Sequence, residues 1–164
     1  MGDANTFHPI PPSEAHMSAL PWTYDDGGRH AAGFVGTTGD CVTRAIAIAT
    51  QRPYRDIYDL INESATRERP REGKQRSRAR TGVRRPKLRR IMDDLGWQWT
   101  PTMQIGAGCT VHLRRGELPQ TQRLVVSVSR HVVAVVDGVC RDTHDPSRGG
   151  TRCVYGYWSP RATT

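Results

Sequence analysis

The chain has 164 residues, enough for one domain around one core. Hydrophobic residues make up 36% and the formal net charge is +8; twelve of the 24 Lys and Arg lie between residues 67 and 90 against two acids, so that segment carries +10 and the remainder −2. No segment approaches the ~20 apolar residues of a membrane span, four cysteines are too few for a dense disulfide scaffold, and the concentrated basic charge is the kind that attracts polyanions.

Residues 1–20 are Pro-rich and polar, and read as a flexible arm without its own core. They lack the basic start and apolar stretch of a signal peptide, so a reducing cytoplasm is expected, where a free Cys persists as a thiol. Residues 21–164 read as a single domain. Trp22 and Tyr24 precede a turn at Asp25-Asp26-Gly27-Gly28, and the Gly-rich GFVGTTGD leads into CVTRAIAIATQ.

The spacing of Val42, Ala45, Ile46 and Ala49 predicts a helix over 41–51, with Asp40 as its N-cap. Pro53 opens a second helix whose apolar face is Tyr54, Ile57, Tyr58 and Ile61. Residues 67–82 are charged and almost free of apolar side chains, which predicts a mobile loop. A third helix, about 86–95, carries Leu88, Ile91, Met92 and Leu95 and ends at Gly96. The second half then changes to β-rich runs separated by turn signals: WQWTPTM, RLVVSVS, HVVAVVDG, VCRDT and RCVYGYW. Helices first and an antiparallel sheet after give an α+β class.

Three polar residues stand out against this frame. Cys41 opens the first helix, where the dipole favours a thiolate and free N–H groups can stabilise an oxyanion. Taken alone, it reads more readily as a small buried Cys. His131 opens the HVVAVV strand. If Asp137-Gly138 form a two-residue hairpin turn, Val136 pairs with Val139, Val133 with Asp142 and His131 with His144. His131, Val133, Asp142 and His144 then share a face, and Asp142 lies diagonally beside His131. An acid there can accept the Nδ1–H and turn Nε2 towards a thiol. Asp145 falls on the opposite face.

The stretches GDCVTRAIAIA and HVVAVVDGVCRDTHD resemble the papain-like cysteine peptidase superfamily, most closely its compact bacterial and phage members, including the double-glycine leader peptidases. The likeness covers about residues 33–62 and 123–158. It implies a papain-like fold with Cys41 as nucleophile, His131 as base and Asp142 as the orienting acid, acting on a peptide or amide with no cofactor. One departure is that the family usually carries a Gln about six residues before the nucleophile, where this chain has Val35. Thr37 or Thr38 then becomes the candidate side-chain donor to an oxyanion beside the Cys41 N–H, with Asp40 as support.

The basic segment 67–90 offers phosphate contacts but no interleaved aromatics for base stacking. Arg84, Arg85, Lys87, Arg89 and Arg90, fixed by the third helix, are its candidate anchor for nucleic acid or an acidic protein. Cys109-x-x-His112 and Cys140-x-x-x-His144 lack the paired spacing of a structural zinc site, so no metal is expected. Tyr155 and Tyr157 share a strand face, as core or as a substrate wall. Two functions remain: a cysteine hydrolase, or transferase on the same machinery, and a papain-like scaffold that binds nucleic acid or an acidic partner.

Overall fold

The computed structural model describes residues 18–163, so most of the expected N-terminal arm lies outside the described residues. The class is α+β. In chain order the elements are β1 (Trp22–Tyr24), α1 (Cys41–Thr50), α2 (Tyr54–Thr66), α3 (Arg85–Asp94), β2 (Trp97–Pro101), β3 (Met103–Gln104), β4 (Gly108–Cys109), β5 (Arg123–Val128), β6 (His131–Val136), β7 (Val139–Asp142) and β8 (Val154–Pro160). Six strands form one sheet in the order β1-β7-β6-β5-β8-β2, antiparallel except where β1 runs parallel to β7. β3 and β4 make a separate ribbon. Among the described residues no helix is long and apolar enough to cross a membrane.

The sheet is covered on both faces, which is why β5 and β6 read as continuous apolar runs. Val125, Val132, Ala134 and Val136 pack with Ile46, Ile57, Ile61 and Met92 of the helices. The alternate positions Leu124, Val126, Val133 and Val135 turn to a second cluster with Leu20, Leu113 and Leu118. Leu20 is thus core rather than arm, and its N–H donates to the Leu113 carbonyl. Asp137 and Gly138 take φ of 49° and 74°, the left-handed pair that a tight hairpin turn needs. Val136 pairs with Val139 as that turn requires.

Two expectations need correction. The 67–82 stretch is a loop, but it is fastened at several points. Glu68 accepts the Ser77 N–H at 2.7 Å, Asn62 Oδ1 accepts the Ala79 N–H at 3.0 Å, and Thr43 Oγ1 donates to the Ala79 carbonyl at 2.7 Å. Small buried residues, Ser77 and Ala79, do here what larger apolar residues do elsewhere.

Tyr155 and Tyr157 also fail to share a face. Between Ser127↔Gly156 and Val128↔Val154 the register of β5 and β8 shifts by a bulge at Tyr155. Tyr157 packs on the outer cluster, whereas Tyr155 lies under the Arg85 guanidinium on the helical side. Next to the bulge, a Cβ on Gly156 would sit 2.3 Å from Trp99 Cζ2 and 2.7 Å from the Thr100 carbonyl oxygen. Gly156→Ala is expected to destabilise the chain by about 1–3 kcal/mol through overpacking, read as a fall in the urea midpoint at unchanged slope.

Candidate active site

α1 begins at Cys41, and its first-turn N–H groups have no partners within the helix. Asp40 occupies the N-cap position without making a side-chain cap. Its carboxylate instead meets three partners: Arg44 at 2.7 Å, the Tyr54 hydroxyl, which donates at 2.6 Å, and Arg29 at 3.5 Å. An ion pair to the side chain four residues on displaces the expected cap. Burial and the adjacent Asp40 carboxylate raise the Tyr54 pKa, which keeps the phenol a donor.

Arg44 joins this end of α1 to the sheet. Its guanidinium holds Asp40 through one nitrogen and Asp142 Oδ1 through another, at 3.1 Å. Asp142 also accepts from His131 Nε2 (2.5 Å) and from the Thr143 N–H (2.7 Å). His131 and Asp142 are therefore in contact, but through the opposite ring nitrogen from the one expected. Nε2 is committed to the carboxylate, which leaves Nδ1 for the thiol. The face assignment is also corrected. Val133 turns to the outer cluster, while His131, at the first position of β6, hydrogen-bonds with Cys41. The β6–β7 ladder stops before position 144, yet the rings of His131 and His144 lie 5.2 Å apart. Asp145 turns away and accepts the Ser147 N–H.

Electrostatics separate the two free thiols. Burial is the largest influence on Cys41 and disfavours its thiolate. The His131 hydrogen bond and charge, the Val132 N–H and Arg44 together outweigh it, so the thiol is held below its usual value. Cys140 has no such partners, and burial, then the Asp145 and Asp142 charges, push it up to about 12. Burial also works against a charged His131, but hydrogen bonds and charges from Asp142 and Cys41 raise it to about 9. For Asp142, burial is overcome by His131, the Thr143 N–H and Arg44, and its carboxyl lies below the usual range. The combination favours a thiolate beside an imidazolium whose far side rests on a carboxylate.

These groups open on a cleft of about 630 Å³. The fastened basic loop forms one wall through Thr81, Gly82 and Val83, and the β5–β6 turn forms another through Val128 and Arg130. Of the two threonines considered, only Thr38 lines this cleft, and its Oγ1 is buried with no hydrogen-bond partner among the described residues. Thr37 is exposed and Val35 is 70% exposed.

The five basic anchors do not form one surface. Lys87 is buried, its Nζ donating to the Ser64 carbonyl at 2.6 Å. Arg84 pairs with Glu68 and donates to the carbonyls of Lys74 and Gln75. Arg85 turns to the cleft, donating to Ser127 Oγ at 3.3 Å. Arg89 and Arg90 are exposed, Arg89 standing over Trp99.

The cysteine reading changes as well. Cys109 and Cys153 form a disulfide, leaving Cys41 and Cys140 as the free thiols. That pairing removes Cys109 from the zinc arrangement weighed above, and His112 faces Glu117. The possible ligand atoms of His131, Asp142 and His144 lie within 4.8 Å of one another, a spacing that a divalent cation would accept only by breaking the His131–Asp142 hydrogen bond.

Fold and site together define an α+β domain with a thiol, an imidazole and a carboxylate at one end of its sheet. No family model, curated protein or solved structure matches this chain.

Proposed function

We propose that the chain is a cysteine hydrolase of papain-like type acting on a peptide or other amide. The observation that carries this reading is the convergence of Cys41 at the start of α1, His131 and an Asp142 hydrogen-bonded to its ring at 2.5 Å on one cleft, with the Cys41 thiol favoured as thiolate there and Cys140 not. A structural cysteine needs no such environment, and a nucleophile does.

The residues fit the steps in order. The Cys41 thiolate attacks the amide carbon, forming a C–S bond and placing negative charge on the carbonyl oxygen. The first-turn N–H groups of α1 are free to receive that charge, and the unpartnered Thr38 hydroxyl is a further donor. Collapse breaks the C–N bond, and the amine leaves with the proton held by His131. Water, losing its proton to the now neutral imidazole, attacks the thioester and expels the thiolate. Asp142 holds the ring throughout and Arg44 holds Asp142. An amine in place of water makes the same site a transferase.

Incubation with a proteome-derived peptide library tests this reading. Cleavage products and a thioester on Cys41, trapped in acid and seen by intact mass, are expected, and both are absent in Cys41→Ala. A chain that cuts nothing and whose Cys41 labels no faster than a free thiol is a binding scaffold instead. Thr38→Val is expected to lower the cleavage rate about a hundredfold with little change in KM, as for loss of one oxyanion donor. An unchanged rate would leave the oxyanion to backbone N–H groups alone.

A further inference from the structure

The cleft carries more positive charge than the chemistry uses. Arg44 is neutralised by Asp40 and Asp142, and His131 by Asp142. Arg85 and Arg130 also line the cleft, and no Asp or Glu does. Among the described residues neither of these two arginines is in an ion pair.

Both are placed. The Arg85 guanidinium lies 5.2 Å from the centroid of the Tyr155 ring and donates to Ser127 Oγ. Ser127 sits directly across from Val132, whose N–H reaches the Cys41 sulfur. The anchored guanidinium therefore stands over the strand next to the one that touches the reacting atom. It has five donors in a planar fork, and most remain free. Arg130 precedes His131 at φ 55°, a left-handed backbone that favours Gly or Asn. A long cation occupies that position at the mouth of the cleft.

Resting on the hydrolase reading, we infer that the cleft selects peptides with an Asp or Glu side chain close to the amide that Cys41 attacks, and that Arg85 and Arg130 bind that carboxylate. Arg85 also lines a neighbouring groove of about 460 Å³ with Arg89, Arg90, Trp99 and Trp158. The one acid there, Asp93, is paired with Arg161 at 3.3 Å. An acidic stretch leaving the cleft on that side meets cations again. A nucleic acid suits the cleft less well, because Arg85 covers the Tyr155 ring and withdraws it as a stacking platform.

The test compares alkylation of Cys41 in the full chain by anionic iodoacetate and by neutral iodoacetamide, read site by site from mass spectra. In both, the thiolate forms a C–S bond as iodide leaves, so the ratio of the two rates reports the potential at the sulfur. The ratio is expected to exceed that of glutathione and to fall about fivefold in the Arg85→Gln/Arg130→Gln double variant. Arg55→Gln, on the exposed side of α2, should leave it unchanged. A ratio that the double variant does not move overturns the inference, as does a library digest whose cut sites show no excess of Asp or Glu within two residues. Protection of Cys41 by a single-stranded oligonucleotide in preference to a Glu-rich peptide also overturns it. These failures differ from failure of the hydrolase reading, in which iodoacetamide itself reacts with Cys41 no faster than with glutathione and the library stays whole; that result removes the inference too.

Discussion

His131→Ala is expected to slow labelling of Cys41 by iodoacetamide at pH 6 by up to about a thousandfold, because the thiolate fraction of a thiol at its usual value of 9.0 is that small there. The deficit closes as the pH rises towards 9.0, the thiol's usual value. In the wild-type chain labelling stays fast to lower pH than for an ordinary thiol, since the imidazolium beside the sulfur and Arg44 favour the thiolate. Amide cleavage by the variant should fall about a thousandfold, as the leaving amine loses its proton donor. On the proposed hydrolase function, the wild-type cleavage profile is expected to be a bell. Its acid limb follows loss of the thiolate, and its alkaline limb near pH 9 follows loss of the imidazolium proton. Equal labelling of wild type and variant at pH 6 would defeat the ion-pair account.

The same pair sets how stability depends on pH. Above the lowered Cys41 value and the usual imidazole value of 6.5, and up to about 9, the unfolded chain keeps one proton on Cys41 and none on His131, while the folded chain keeps one on His131 and none on Cys41. The counts match, so the pair contributes no slope across this window. Cys41→Ala removes that balance. The folded imidazolium, still held by Asp142, then retains a proton that the unfolded chain has lost. Stability of the variant falls as pH rises from about 6.5 towards the folded value, with a limiting slope of ~1.4 kcal/mol per pH unit.

The parts of the molecule that were legible in the sequence are those set by local chemistry. A two-residue Asp137-Gly138 turn admits one register, and that register alone brings Asp142 beside His131. The start of α1 was legible from its apolar spacing. Asp40 misled because two local partners compete for it: a first-turn N–H and the side chain at position 44. The i,i+4 Asp–Arg spacing was visible, but the second partner of Arg44, Asp142, lies 98 residues away. Lys87 misled for want of the same periodic test applied to charges. It stands four residues before Ile91, on the buried stripe of α3, and its ammonium is satisfied by a carbonyl of α2. Nothing local signals the Cys109–Cys153 link across a separation of 44, nor the bulge that parts Tyr155 from Tyr157.

Arg44→Met is expected to cost about 3–5 kcal/mol of stability, since it leaves Asp40 and Asp142 as buried charges short of a partner. For a chain of this size that corresponds to a fall in Tm of roughly 10 °C. Arg44→Lys keeps a charge but loses the fork that spans both carboxylates, and should recover only part of the loss. Acid distinguishes this account from a simple packing defect. In the wild type Asp142 is held below the usual carboxylate range, so its contribution is present above about pH 4 and disappears as the pH falls through its folded value. In Arg44→Met that contribution is already weakened, and the difference between the two proteins should narrow on acidification. Adding Asp40→Asn to Arg44→Met should restore stability relative to the single variant by removing one of the stranded charges. A packing defect predicts a constant difference with pH and a further loss in the double variant. The Cys41 site feels the same change: with Asp142 less firmly held, the imidazolium loses alignment, and Cys41 should label more slowly at pH 6 in Arg44→Met even well below its Tm.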